Sequence, residues 1–241
     1  MTTVQSTLRS IALDQPATIR VFERFHLDYC CGGNRPLAQA CAQKGIDPKE
    51  VLAALSDATR TPEPARDFTE AALPELIRHI VQTHHAYVRS ELPRLLPLAE
   101  RVAAKHGPNH PEVIQIERQL CQLAGDLLFH LDKEETILFP YIEALEQSRT
   151  YGANAPRACF ATIESPIQSM LQEHEAAGAL LDEMRTASKN FAPPAGACPT
   201  YVGLYDGLDA FEKDLHRHVH LENNLLFPRA IALEQEILVA R

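Results

Sequence analysis

Two stretches of this 241-residue chain carry the same chemistry-bearing residues at the same spacing. Asp126-x3-His130-x3-Glu134-x2-Ile137-Leu138-Phe139-Pro140 recurs as Asp214-x3-His218-x3-Glu222-x2-Leu225-Leu226-Phe227-Pro228, every matched pair 88 positions apart. Upstream of each copy stands one more histidine, His85 and His174, 89 positions apart. Residues four apart on an α-helix lie one above the other, so His130 projects with Glu134 and His218 with Glu222. Both pairs run into apolar positions that must face an interior: Leu127, Ile137 and Leu138 in one copy, Leu215, Leu225 and Leu226 in the other. Imidazoles and carboxylates buried together are costly unless they are paired or bind a cation. Four histidines and two glutamates converging on one apolar interior call for metal.

Six ligands are too many for one metal that keeps a reactive position, but they suit two. With both glutamates bridging, each ion takes two nitrogens and two oxygens. An oxo or hydroxo bridge makes a fifth ligand and leaves a sixth octahedral position open. Imidazole and carboxylate without thiolate suit non-haem iron or manganese rather than Cu(I) or a structural zinc. The expectation from spacing is two such ions, iron or manganese. Paired carboxylate-bridged metals recur inside four-helix bundles, although this spacing is not the Glu-x-x-His of ferritin-like sites.

The residues around these six need assignment too. His216 and His220 lie two positions either side of His218, about 200° around a helix from it, and are expected on the outer face as bystanders. Between His84 and His85, the seam Ile77, Val81, His85, Val88, Leu92 and the spacing to His174 favour His85. His174 itself continues the seam of Ile167 and Leu171, while His79, His106 and His110 are expected on a face or in a loop. Asp126 and Asp214 precede the ligand histidines by one turn. They read equally as ordinary helix acids or as carboxylates orienting the metal-bound imidazoles, which donate their second N–H to such partners. Pro140 and Pro228 remove the N–H that the carbonyls of Thr136 and Asn224 would accept, so each predicts a kink beyond the metals. Cys30-Cys31, followed by Gly32-Gly33, has two readings. The pair is either small buried hydrophobes or accessible thiols for redox chemistry, nitrosation or iron transfer; adjacent thiols are poor chelators of a single metal. Cys41, Cys121, Cys159 and Cys198 stand alone and read as structural.

Elements must hold these side chains in place, and the pattern supplies them. Four long helical segments are predicted at about 69–106, 110–149, 157–190 and 199–237, joined by short Gly- and Pro-containing breaks. Short connections make them an antiparallel up-down four-helix bundle. Residues 1–58 read as a small helical domain, with helices starting near Asp14–Pro16, Pro36 and Asp47–Pro48; 59–68, with two prolines, read as a linker, and 69–241 as the bundle. Composition agrees with an all-α fold: 45% hydrophobic residues with only 10 glycines. The net charge of −9 carries no basic cluster that would mark a nucleic-acid partner. No apolar run approaches the ~18 residues of a membrane span, the N-terminus lacks the pattern of a secretory signal, and the scattered cysteines suit a reducing cytoplasm.

The stretches LDYCCGG (27–33), His-x3-Glu-x2-ILFP (130–140) and HLENNLLFPRA (220–230) resemble the repair-of-iron-centres di-iron proteins, over essentially the whole chain. In that family a Cys-Cys unit precedes a hemerythrin-like bundle. The resemblance implies a di-iron centre on His85, His130, Glu134, His174, His218 and Glu222, the six reached from spacing. His84 beside His85, and His216 and His220 around His218, depart from the family pattern. It further implies a cytoplasmic protein of nitrosative and oxidative stress that binds nitric oxide and restores damaged iron–sulfur proteins by supplying iron. A di-iron nitric oxide reductase producing nitrous oxide, or a hemerythrin-like oxygen or nitric oxide sensor or buffer, are the alternatives. A monomer and a homodimer fit equally well.

Overall fold

The computed structural model describes residues 2–60, 68–152, 156 and 159–239. Residues 61–67, the heart of the expected linker, lie outside the described residues. Among the described residues the chain is helical throughout, with one isolated antiparallel bridge between Thr7 and Pro36.

Four short helices come first: α1 (Leu8–Asp14), α2 (Ile19–Arg24), α3 (Leu37–Lys44) and α4 (Pro48–Arg60). Helix α1 goes beyond the sequence reading; Thr7 caps it by accepting from the backbone N–H of Ser10. Asp14 ends this helix rather than starting the next, and Pro16 opens a single 3-10 turn into α2. Leu8, Ile11, Phe22, Tyr29, Leu37, Val51 and Leu55 close a core of their own between these helices.

The bundle has four rods. The first is α5 (Leu73–His79) continuing through a π-helical turn, Ile80–His85, into α6 (Ala86–His106). The second is α7 (Glu112–Lys133), a π turn at Glu134–Leu138, and α8 (Phe139–Tyr151). The third is α9 (Glu164–Ala187), unbroken, and the fourth is α10 (Pro199–Leu221), a π turn at Glu222–Leu226, and α11 (Phe227–Val239). Helix α6 packs against α7 and α10, α7 against α9, and α8 against α5 and α11. Gly207 lets α6 and α10 close together, since a Cβ there would stand 2.5 Å from Leu95.

Each π turn touches the predicted ligands: one ends on His85, and the others begin at Glu134 and Glu222. Phe139 donates to the carbonyl of Glu134, and Phe227 to that of Glu222, bonds one residue longer than α-helical ones. Wide turns of this kind are rare and concentrate at functional sites. The extra residue rotates later positions back by about 100°. Leu138 therefore takes the inward place that an unbroken α-helix would give Ile137, and Ile137, expected inside, is 45% exposed.

Two apolar layers fill the bundle. Leu92, Leu95, Ile116, Leu120, Leu208 and Phe211 build one; Leu76, Ile80, Phe139, Ile142, Leu226 and Phe227 build the other. The histidines and glutamates occupy the seam between them.

Candidate metal centre

All six predicted ligands meet in that seam, and all six are buried. Their donor atoms fall into two overlapping quartets: His85, Glu134, His218 and Glu222, and His130, Glu134, His174 and Glu222. Both glutamates belong to both quartets, so each quartet offers two nitrogens and two oxygens. Within the first, His85 Nε2 is 3.1 Å from His218 Nε2, 3.5 Å from Glu134 Oε2 and 3.8 Å from Glu222 Oε1. Within the second, His130 Nε2 is 3.0 Å from His174 Nε2 and 3.3 Å from Glu134 Oε2, and His174 Nε2 is 3.3 Å from Glu222 Oε2. Glu222 thus turns Oε1 towards one quartet, with His218 Nε2 3.0 Å away, and Oε2 towards the other.

Such an arrangement fits cations and little else. Paired imidazole nitrogens at about 3 Å cannot satisfy each other and the carboxylates together by hydrogen bonding alone. Among the described residues, both oxygens of Glu134 and Oε2 of Glu222 are buried without a hydrogen bond; orphaned carboxylate oxygens in an apolar seam are expensive. Burial opposes charge on His130, yet Glu134, Glu222 and Glu173 raise its pKa to about 9. So strong a local demand for positive charge suits a bound cation.

Outer partners fix three of the four rings. His85 Nδ1 meets Glu135 at 2.8 Å, His130 Nδ1 meets Glu173 at 2.7 Å, and His174 Nδ1 meets Asn223 at 2.7 Å. Glu135 is steadied in turn by Arg89 and Glu173 by Lys133. Among the described residues, His218 Nδ1 has no hydrogen bond; the ring of His84 stacks on His218 instead, at 5.7 Å. These partners were not read from the sequence. Glu135 and Asn223 adjoin the motif glutamates and Glu173 adjoins His174, so adjacency was the available signal.

The aspartates behave differently. Asp214 binds His84 Nδ1 at 3.0 Å, which occupies that buried histidine away from the quartets and leaves His85 as the donor. Asp126 is exposed on α7.

His220 corrects the sequence reading. It is buried, not on an outer solvent face, because the N-terminal helices cover that side of α10. Asn224 donates to His220 Nδ1 at 2.8 Å and to the carbonyl of Tyr29 at 3.3 Å. Burial pushes the pKa of His220 down to about 4, keeping its ring neutral and able to accept. His216 is half-buried, edge-on to the Tyr29 ring. The next residue, Arg217, forms a two-point pair with Glu23 at 2.6 and 2.9 Å. Arg9 donates to the carbonyl of Asn224, the group deprived of its helical donor by Pro228. Hence the outward histidines belong to the seat of the N-terminal helices. Cys121 and Cys159, expected as structural, are exposed, whereas Cys41 is buried and Cys198 is half-buried beside His106.

A cleft of about 380 Å³ between α7, α9 and α10 reaches the centre. Its walls are largely apolar, including Leu127, Phe129, Leu180 and Val219, and it ends on His130, His174 and His218. Asp126 stands on its wall. It therefore opens on ligands of both quartets.

Comparison with known proteins bears on this geometry. Residues 76–230 match the hemerythrin HHE cation-binding domain, and residues 4–59 match a domain of unknown function designated ScdA_N. A relative from Edwardsiella ictaluri, named iron-sulfur cluster repair protein YtfE, is 38% identical over 96% of this chain and 99% of its own. The Dickeya chrysanthemi protein of the same name is 35% identical over 93% and 96%, respectively. A probable iron-sulfur cluster repair protein of Haemophilus influenzae is 35% identical over 96% and 99%. The chain belongs to the hemerythrin HHE cation-binding family, in the branch with YtfE-type iron–sulfur cluster repair proteins.

Proposed function

We propose that the protein is a di-iron member of the nitrosative and oxidative stress response that takes up nitric oxide and supplies iron to damaged iron–sulfur proteins. The observation that carries this reading is the pair of buried quartets sharing Glu134 and Glu222. His85 and His218 would hold one iron and His130 and His174 the other, with Glu134 and Glu222 contributing to both. Bound there, the metals would supply redox chemistry and open positions for a diatomic ligand.

The chain's own residues set the terms. Glu135, Glu173 and Asn223 hold the imidazoles in one tautomer and orientation. The apolar walls of the cleft favour a small neutral molecule over ions and bulk water. A ligand set of imidazoles and carboxylates without thiolate suits non-haem iron. Cys30 and Cys31 lie between the N-terminal helices and the bundle, where a departing cation could be received. All six cysteines are unpaired, in keeping with a reducing cytoplasm. No described helix is long and apolar enough to cross a membrane.

Nitric oxide reduction is the second reading, favoured by one feature: the cleft touches ligands of both quartets, so two small molecules could meet. The test is anaerobic. Reduced, iron-loaded protein is mixed with an iron-depleted cluster protein, and in parallel with nitric oxide while nitrous oxide is measured. Iron appearing in the recipient is the expected result. Repeated turnover to nitrous oxide with no iron transferred would replace repair by catalysis.

A further inference from the structure

A second group of metal-ligating side chains lies outside the bundle centre. Asp28, Cys30 and Cys31 bring a carboxylate oxygen and two sulfurs together within 4.8 Å of one another. Cys30 Sγ is 3.3 Å from Asp28 Oδ1 and 3.9 Å from Cys31 Sγ. Tetrahedral metal–sulfur bonds of about 2.3 Å and metal–oxygen bonds of about 2.0 Å place two sulfurs roughly 3.8 Å apart, and sulfur and oxygen roughly 3.5 Å apart. Adjacent cysteines, poor chelators on sequence grounds, are thus spread here to the separation a metal requires.

Local backbone holds them so. The N–H of Cys31 donates to Asp28 Oδ1 and the N–H of Gly32 to Oδ2, both at 2.9 Å, which presets the carboxylate before any ion arrives. A side chain at residue 32 would strike it: a Cβ there would sit 2.7 Å from Asp28 Oδ2. Cys30 is buried against the bundle core, while Cys31 is half-exposed and faces Gly178 of α9. All three residues line a cleft of about 350 Å³ between the N-terminal helices and the bundle, which also reaches His26, Glu175, Glu212 and His216. Four cations line the cleft and each has an acceptor of its own: Arg35 meets Gln43, Lys44 meets Asp182, Lys213 meets Asp209, and Arg185 meets Asp209 and Glu212. The Cys31 sulfur, burial and the Asp28 carboxylate all push the Cys30 thiol well above its ordinary pKa; a bound cation reverses each of these penalties on the thiolate.

We infer that Asp28, Cys30 and Cys31 form a separate site for one thiophilic divalent cation, at the floor of the cleft between the N-terminal helices and the bundle. Binding displaces the two thiol protons to solvent and leaves a carboxylate and two thiolates on the ion, with its remaining position open to the cleft. The inference deepens the iron-supply reading by giving ferrous iron a stop outside the bundle, but the site rests on its own geometry.

The experiment titrates reduced, iron-loaded protein with Co2+ in the absence of oxygen. The bundle ligands include no thiolate, and a thiolate-to-cobalt charge-transfer band in the near ultraviolet that is lost in Cys31→Ser reports this site rather than Cys121, Cys159 or Cys198. One band saturating at one cobalt per chain is expected, lost in Cys31→Ser and requiring at least about tenfold more cobalt in Asp28→Asn. Cys31 is half-exposed, so Cys31→Ser tests the site with little risk to folding, and far-UV circular dichroism checks that it folds. No band in the wild type, or one that survives Cys31→Ser, overturns the site. Iron transfer that continues without the band sinks the site and spares the repair reading; a band with no iron transfer does the reverse.

Discussion

The nitrogens that do not face the metal seam decide how the seam is held. Glu135 supports His85 from the neighbouring rod, so Glu135→Gln keeps the packing but weakens the acceptor. Outer partners of metal-bound histidines typically tune affinity by about 10–100-fold. Glu135→Gln is expected to lower metal affinity within that range, read by competition with a chromogenic chelator, whereas Glu222→Ala, which takes a shared carboxylate from both quartets, is expected to leave at most one ion per chain by elemental analysis. Two ions retained by Glu222→Ala would undo the ligand assignment. At this scale the sequence was most informative where it repeated itself. The doubled His-x3-Glu singled out His130, Glu134, His218 and Glu222 among 11 histidines and many acids. It said nothing of Glu135, Glu173 and Asn223, because their roles depend on how one rod is rotated against another. His84 was separable from His85 by the apolar seam, but its pairing with Asp214 required the tertiary fold.

The rods carry a feature that no residue count reveals. Each π turn inserts one residue beside a ligand, and the turn at Glu134–Leu138 sends Ile137 outward and Leu138 inward. Deleting Ile137 should therefore return α7–α8 to an unbroken α-helix with its flanking faces still in register. Little apolar burial is lost, so the melting temperature of the metal-free protein is expected to stay within a few degrees. Metal affinity should fall, because the wide turn sets where Glu134 and Glu135 stand relative to His130 and His85. A folded deletion variant binding metal as tightly as wild type would show the turn to be irrelevant to the site. Periodicity did place the four rods, since 3.6-residue patterning survives one extra residue per helix. It could not place the extra residue; only the Phe-Pro steps, one residue past two of the turns, hinted at it. Pro140 and Pro228 were read as kinks; what stands immediately before each is a wide hydrogen bond, from Phe139 to Glu134 and from Phe227 to Glu222.

Across the whole molecule, the N-terminal helices and the bundle meet on a polar seat. Arg217 reaches Glu23 from a half-exposed position, while Glu23 itself is buried. Among the described residues, Arg217→Ala leaves that carboxylate with only the long hydrogen bond from Tyr29, at 3.4 Å. An unpaired buried polar group costs about 1–3 kcal/mol, which here falls on docking rather than on either core. Cys31 should then be alkylated by iodoacetamide about 5–160-fold faster while the metal content stays unchanged. Unchanged alkylation kinetics would mean that this pair does not hold the two parts together.

The repeated motif seats the N-terminal helices on one copy only. Positions 217, 220 and 224 become Arg217, His220 and Asn224 in the covered copy; their counterparts 88 residues earlier are Phe129, Asp132 and Thr136, all exposed. A doubled sequence is thus under unequal constraint. The two halves share obligations to the metal but not to the neighbour, so the outward face of α7 is free to vary where that of α10 is bound. Phe129, 66% exposed at the rim of the apolar cleft, is where such freedom would first alter what enters.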